Sequence, residues 1–137
     1  MEFGVFEIWT GALFTLVEAS DNNFTKTALQ SMLQVMTELV SNDITYSKLF
    51  ESPKLIDLLI NGFVLQPKKM FHDLVLMELA SLLRNLSSID ELNFFETLLN
   101  AGLPQAILTL LVKFTDKGQY VANVCLEALQ NLFNICH

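Results

Sequence analysis

Few residues in this chain have side chains and spacings that could do chemistry. His72 has no cysteine or second histidine at metal-ligand spacing, so we interpret it as a surface or half-buried residue. Asp90 and Glu91 suit the start of a helix, where the helix dipole favours negative charge, better than they suit an acid–base pair. The sequence also lacks a glycine-rich phosphate loop and a nucleophile motif. It therefore predicts a protein that is not an enzyme and has no catalytic, metal or cofactor site.

The two cysteines do not fit a disulfide. Cys125 and Cys136 are eleven positions apart, which on a helix places them on one face but about 16 Å apart along the axis. We interpret them as small buried thiols in a reducing compartment. The opening segment "MEFGVFEIW" has two glutamates and no basic residue, unlike a secretory signal. Both observations predict a cytoplasmic or nuclear protein that is not secreted.

The composition restricts the partners. Hydrophobic residues make up 52% of the 137 residues and charged residues 17%, below the usual quarter or so, which suggests an apolar face for a protein partner. The net charge is −7, and Lys68 and Lys69 are the only adjacent basic pair. This charge argues against nucleic acid and favours a basic or neutral segment of a protein. The longest uncharged stretch, 97–112, has sixteen residues, fewer than the ~20 of a membrane span.

Helical periodicity dominates the chain. In "KMFHDLVLMELASLLRNLSS" (Lys69–Ser88), apolar side chains recur every third or fourth position, as on an amphipathic helix. Thr25–Ser41 and Tyr120–Cys136 repeat this spacing. No stretch of useful length alternates as a strand does. The pattern therefore predicts an all-α fold with three long amphipathic helices.

The stretch "NAGLP" predicts a sharp corner between two shorter helices. Asp90 can cap a helix over Glu91–Asn100. Gly102 follows that helix where a left-handed residue is needed, and Pro104 suits the start of the next one. The two helices can then cross steeply and share one core.

An internal repeat is visible at offsets of 46 to 51 residues. At the offset of 51, Pro53 aligns with Pro104 and Phe63 with Phe114; at the offset of 46, Asn85 aligns with Asn131. We interpret each unit as three helices. The single domain, 1–137, then divides into a partial repeat (1–42), a second repeat (43–89) and a third (90–137).

The third unit resembles an armadillo repeat. Its sequence is "LLNAGLPQAILTLLVKFTDKGQYVANVCLEALQNLFN" (Leu98–Asn134), and "LASLLRNLSS" (Leu79–Ser88) has the same ending in the unit before it. The resemblance implies a short right-handed armadillo-type α-solenoid of about 2.5–3 repeats. Because the period is slightly long, the HEAT repeat is a near alternative.

The same resemblance implies a partner-binding groove lined by the third helix of each unit. In such a groove, amide side chains can both donate to and accept from the backbone of a bound peptide. The tryptophans with which nuclear-import receptors of this family hold lysine side chains are replaced by Ser81 and Glu127, so the resemblance does not extend to that mode of recognition. The residues at the groove positions are Gln34, Glu38, Met77, Ser81, Asn85, Asn123, Glu127 and Asn131.

Two functions follow as expectations. The first is a non-catalytic adaptor or scaffold that binds a linear peptide or a helix in this groove. The second is a structural subunit of a larger assembly or homo-oligomer joined through apolar end faces, because "FGVFEIW" and "LFNICH" provide no polar capping unit. The alternative that the groove residues are only the solvated faces of amphipathic helices stays open at this point.

Overall fold

The computed structural model describes residues 2–20, 22–41, 53–89, 91–116 and 118–136. Within these ranges every regular element is helical, which confirms the all-α prediction. The first helix expected in the second repeat, before Pro53, lies outside the described residues. The elements are α1 (Glu2–Glu18), α2 (Asn23–Ser41), α3 (Pro53–Asp57), a π-helical segment (Leu58–Leu65), α4 (Asp73–Ser87), α5 (Leu92–Ala101), α6 (Leu103–Lys113) and α7 (Gln119–Cys136).

The corner between α5 and α6 forms as predicted. Gly102 ends α5 in the left-handed conformation, with φ of 100° and ψ of 27°, and Pro104 lies in the first turn of α6. Glu91, which the sequence predicts as the first residue of this helix, is instead its N-cap. Its carboxylate accepts hydrogen bonds from the backbone N–H groups of Asn93 at 3.3 Å and Phe94 at 2.8 Å, which have no partner inside the helix. Asp90, the predicted cap, lies outside the described residues.

The three amphipathic helices that the sequence predicts, α2, α4 and α7, pack side by side. The central helix α4 contacts α2 on one side and α7 on the other, while α6 packs against both α7 and the π-helical segment. Residues that the repeat alignment pairs have matching environments: Ile56 and Ile107 are both 1% exposed, and Phe63 and Phe114 are 2% and 0% exposed. The periodic apolar residues of these helices therefore form one continuous core.

The segment after α3 has an unusual pitch. Leu58–Leu65 is a π-helix, and the N–H of Gln66 donates to the carbonyl of Asn61, five residues earlier, at 2.8 Å. Gly62 sits in this wide turn, where a Cβ would lie 2.7 Å from Leu58 Cδ1. π-Helical turns are rare and frequently occur at functional sites. The surroundings of this segment are therefore a place to look for a binding site.

In the ranges that the structure describes, no single helix is long and apolar enough to cross a membrane. Together, α5 and α6 reach that length and hydropathy, but they meet at a bend of 57°.

Candidate functional site

The predicted groove residues lie on α2, α4 and α7, the helices that pack side by side. We call their outward side the three-helix surface. Gln34 and Glu38 on α2 are exposed, as are Asn123 and Glu127 on α7. Met77 on the central helix is half-buried and packs at the edge of the core. These five side chains are accessible to a partner.

Ser81 is much less accessible than its position in the sequence suggests. It lies in the middle of α4 and is 7% exposed. Because α4 has a helix on each side, a side chain as small as serine is covered by its longer neighbours. We therefore assign Ser81 to the packing between the helices rather than to the contact surface.

The two aligned asparagines link neighbouring helices. Asn85 Nδ2 on α4 donates to the backbone carbonyl of Thr37 on α2 at 3.1 Å, and Asn131 Nδ2 on α7 donates to Ser87 Oγ on α4 at 3.2 Å. Each asparagine thus joins its own long helix to the one before it. The sequence interpretation predicts that these amides face a bound peptide, whereas in the structure both amide nitrogens donate to groups within the protein.

These bonds belong to a longer series of polar contacts. Ser87 Oγ donates to the carbonyl of Arg84 at 2.6 Å, and Arg84 Nε donates to Asn85 Oδ1 at 3.3 Å. Together with the two amide bonds, they connect Asn131 on α7 through α4 to Thr37 on α2. The polar groups between the long helices therefore satisfy one another.

The three-helix surface carries an excess of negative charge. Burial, with a further contribution from the nearby Glu38 carboxylate, raises the pKa of Glu78 above its ordinary value of 4.5. Arg84 Nη1 lies 3.8 Å from Glu127 Oε2, and such an exposed pair stabilises little. Sequence analysis missed Glu78 and Arg84. A signal for Glu78 was present, because it precedes Asn85 by seven residues, two turns along one helix face.

Two adjoining clefts lie away from this surface. The first, of about 630 Å³, is bounded by α1, by α3 with its π-helical continuation, and by the segment 66–71. The second, of about 360 Å³, lies between that segment, the π-helical segment, α4 and α6. Both are lined by Lys68, Lys69 and Phe71, so they meet at the lysine pair to which sequence analysis assigned no role.

His72 and Cys125 each have a structural role in the fold. His72 is exposed and caps α4, with its Nδ1 accepting from the N–H of Leu74 at 3.1 Å. Cys125 is 2% exposed, and burial raises the pKa of its thiol to about 11, so it stays protonated at neutral pH. The side chain of Cys136 is outside the described part of the structure. Among the residues that are described, no group of three His, Cys, Asp or Glu side chains could hold a metal ion.

Comparisons of this chain with protein-family models, with curated proteins and with solved structures give no match.

Proposed function

We propose that this chain is a non-catalytic adaptor or scaffold that binds a peptide or helix of a partner protein on the three-helix surface. The observation that supports this most directly is the side-by-side packing of α2, α4 and α7. It brings accessible side chains from three separate parts of the chain to one surface. The proposed arrangement is a short armadillo-type solenoid in which these are the third helices of successive units. The matched burial of aligned residues and the repeated asparagine bonds support it.

The charge of the surface favours a basic or neutral partner segment. Glu38 and Glu127 present exposed carboxylates, and burial, followed by repulsion from Glu38, raises the pKa of Glu78. A lysine or arginine of the partner placed near Glu38 and Glu78 would relieve that repulsion. Gln34 and Asn123 are exposed amides that can pair with a backbone, and Met77 offers an adaptable apolar contact.

Binding of labelled peptides tests this proposal. A panel of synthetic basic amphipathic peptides would be titrated with the protein and followed by fluorescence anisotropy. Glu127→Gln should weaken binding by about two- to fivefold, as expected for an exposed charge pair. Glu96→Gln, an equal change of charge at an exposed position of α5, should leave binding unchanged. If the two variants affect binding equally, or if no basic peptide binds, the three-helix surface is not the binding site.

Assembly through the ends of the helical array is the second candidate, favoured by exposed apolar side chains on α2, α6 and α7. Phe24 on α2 is 79% exposed, and Val112 on α6 and Leu126 on α7 are 74% and 53% exposed. Trp9, another residue expected at an end face, is half-buried against the core instead. Sedimentation equilibrium separates the two candidates. A dimer that Leu126→Ser converts to a monomer supports assembly, whereas a wild-type monomer at all concentrations rules out the homo-oligomer.

A further inference from the structure

We infer that the two adjoining clefts form a second binding site, which takes an acidic segment of a partner protein that also carries apolar side chains. We call them the lysine clefts. They share Lys68, Lys69 and Phe71 as lining residues, so one bound segment can reach both. None of their lining residues belongs to the set that we assign to the three-helix surface.

The first observation is the concentration of positive charge. The chain has eight basic residues against fifteen acidic ones, yet four of the eight line these clefts: Lys54, Lys68, Lys69 and Lys113. The acidic lining residues are Glu18 and Asp57, and Asp57 Oδ1 already accepts a hydrogen bond from Asn61 Nδ2 at 2.6 Å. In an otherwise acidic protein, this part of the surface attracts negative groups.

The second observation is that most of these lysines are available. Lys69 Nζ donates to the carbonyl of Ala19 at 2.9 Å and lies 5.3 Å from the centroid of the Phe71 ring, so it holds the segment 66–71 against the end of α1. Lys54, Lys68 and Lys113 are exposed. Across the described part of the chain, none of these three makes an ion pair within 4.0 Å. Their charges can therefore pair with carboxylates of a ligand.

The third observation is that the walls are apolar. Phe14 and Leu58 line the first cleft, Phe63 and Leu76 line the second, and Met70 beside them is 82% exposed. Two apolar hollows flanked by lysines match a polypeptide that carries both apolar and acidic side chains. A nucleic acid would need more clustered cations than three available lysines. A membrane surface would need apolar side chains that project, whereas most of these are recessed.

The π-helical segment is the wall that separates the two hollows. Leu58 and Gly62 face the first cleft, while Phe63 and Val64 line the second. Its wide pitch thus divides neighbouring residues between two cavities. Rare π-helical geometry is frequent at functional sites, and here it coincides with the available lysines. These are independent features, and both point to the same site.

The experiment uses the full chain and a fluorescein-labelled peptide of about 15 residues, roughly four helical turns. Leu and Phe recur in this peptide at helical spacing, and the positions between them are Asp or Glu. The peptide should bind, with an affinity that falls as salt rises. Lys68→Glu and Lys113→Glu should each weaken binding about fivefold, since each removes an attraction and adds a repulsion. Lys26→Glu on α2, outside both clefts, makes the same change in net charge and should have no such effect. Circular dichroism confirms that each variant is folded.

Several results would overturn the inference. They are failure of the acidic peptide to bind, equal binding by a peptide in which every acid is replaced by lysine, and equal weakening by Lys26→Glu and Lys68→Glu. Stronger binding to phosphatidylserine vesicles or to a single-stranded oligonucleotide would assign the clefts to lipid or nucleic acid instead. Glu127→Gln should not weaken this peptide, so failure at the clefts and failure at the three-helix surface can be told apart.

Discussion

The hydrogen bond from Asn85 to α2 should contribute measurably to stability. In Asn85→Ala, the bond from Nδ2 to the carbonyl of Thr37, 3.1 Å long, is lost. A neutral hydrogen bond contributes about 0.5–1.5 kcal/mol net. Because Thr37 lies inside α2, its carbonyl stays within a helical hydrogen-bonding pattern and is not orphaned. We therefore expect a loss of about 1 kcal/mol, or roughly 3–5 °C in Tm for a chain of this size.

Asn123→Ala on α7 is the matched control. Asn123 is exposed, and replacing Asn by Ala in a helix improves helix propensity by several tenths of a kcal/mol. This gain applies to both variants, so the difference between them reports the contacts of the Asn85 amide, which are the bond to Thr37 and the bond from Arg84 Nε. Urea unfolding followed by far-UV circular dichroism gives both free energies. Asn131→Ala, which loses the bond to Ser87, should behave like Asn85→Ala. Equal free energies of unfolding for the Asn85 and Asn123 variants would show that the bond has no structural role.

Three further predictions concern other positions. Gly102→Val should lower stability by about 1–3 kcal/mol in urea unfolding, because φ is 100° and the new Cβ would lie 3.0 Å from Leu65 Cδ1; a neutral effect would contradict the left-handed cap. Glu78→Gln should raise Tm at pH 7 but not below pH 4.5, because burial and, to a smaller extent, Glu38 raise the pKa of Glu78, so the folded state loses stability as this carboxyl ionises; a gain that is independent of pH would exclude this cause. Between pH 9.0 and 11, the buried Cys125 thiol stays protonated in the folded protein, while it ionises in the unfolded chain. The free energy of unfolding should therefore fall by about 1.4 kcal/mol per pH unit. This dependence on pH should disappear in Cys125→Ala.

The sequence predicts the parts of the fold that local chemistry controls. The three long helices follow from apolar spacing, and the left-handed Gly102 follows from its position after a helix and before Pro104. Adjacent acids at 90 and 91 are both candidates for the cap of α5, and the helical pattern alone does not choose between them. The carboxylate of Glu91 is the one that reaches the first N–H groups of the helix.

The π-helical segment could not be predicted from periodicity. Leu58–Leu65 is apolar except for Asn61 and Gly62, so no polar face marks its pitch, and an α-helix and a π-helix suit the same residues. The role of Asn85 was missed for a different reason. The helical spacing shows that it lies beside the core stripe, but not that a neighbouring backbone carbonyl lies within reach.

The lysine clefts depend wholly on tertiary structure. Lys54 and Lys113 are 59 positions apart, and only the packing of α6 against the π-helical segment brings them near Lys68. A count of charges along the chain gives only the net charge of −7, whereas the folded chain brings lysines from separate parts of the sequence to these clefts.

The polar series that runs from Asn131 to Thr37 has a mechanical consequence. Leucine side chains that pack across two helices tolerate small sliding movements along the axes, because apolar contacts have little directional preference. Hydrogen bonds are directional, so the bonds at Thr37 and Ser87 resist a shift of α2 or α7 along α4. The spacing of accessible side chains on the three helices is thereby fixed before any partner arrives. For the proposed adaptor function, the consequence is that the distances between contact residues are set in advance, so a partner with matching spacing would not have to order the surface on binding.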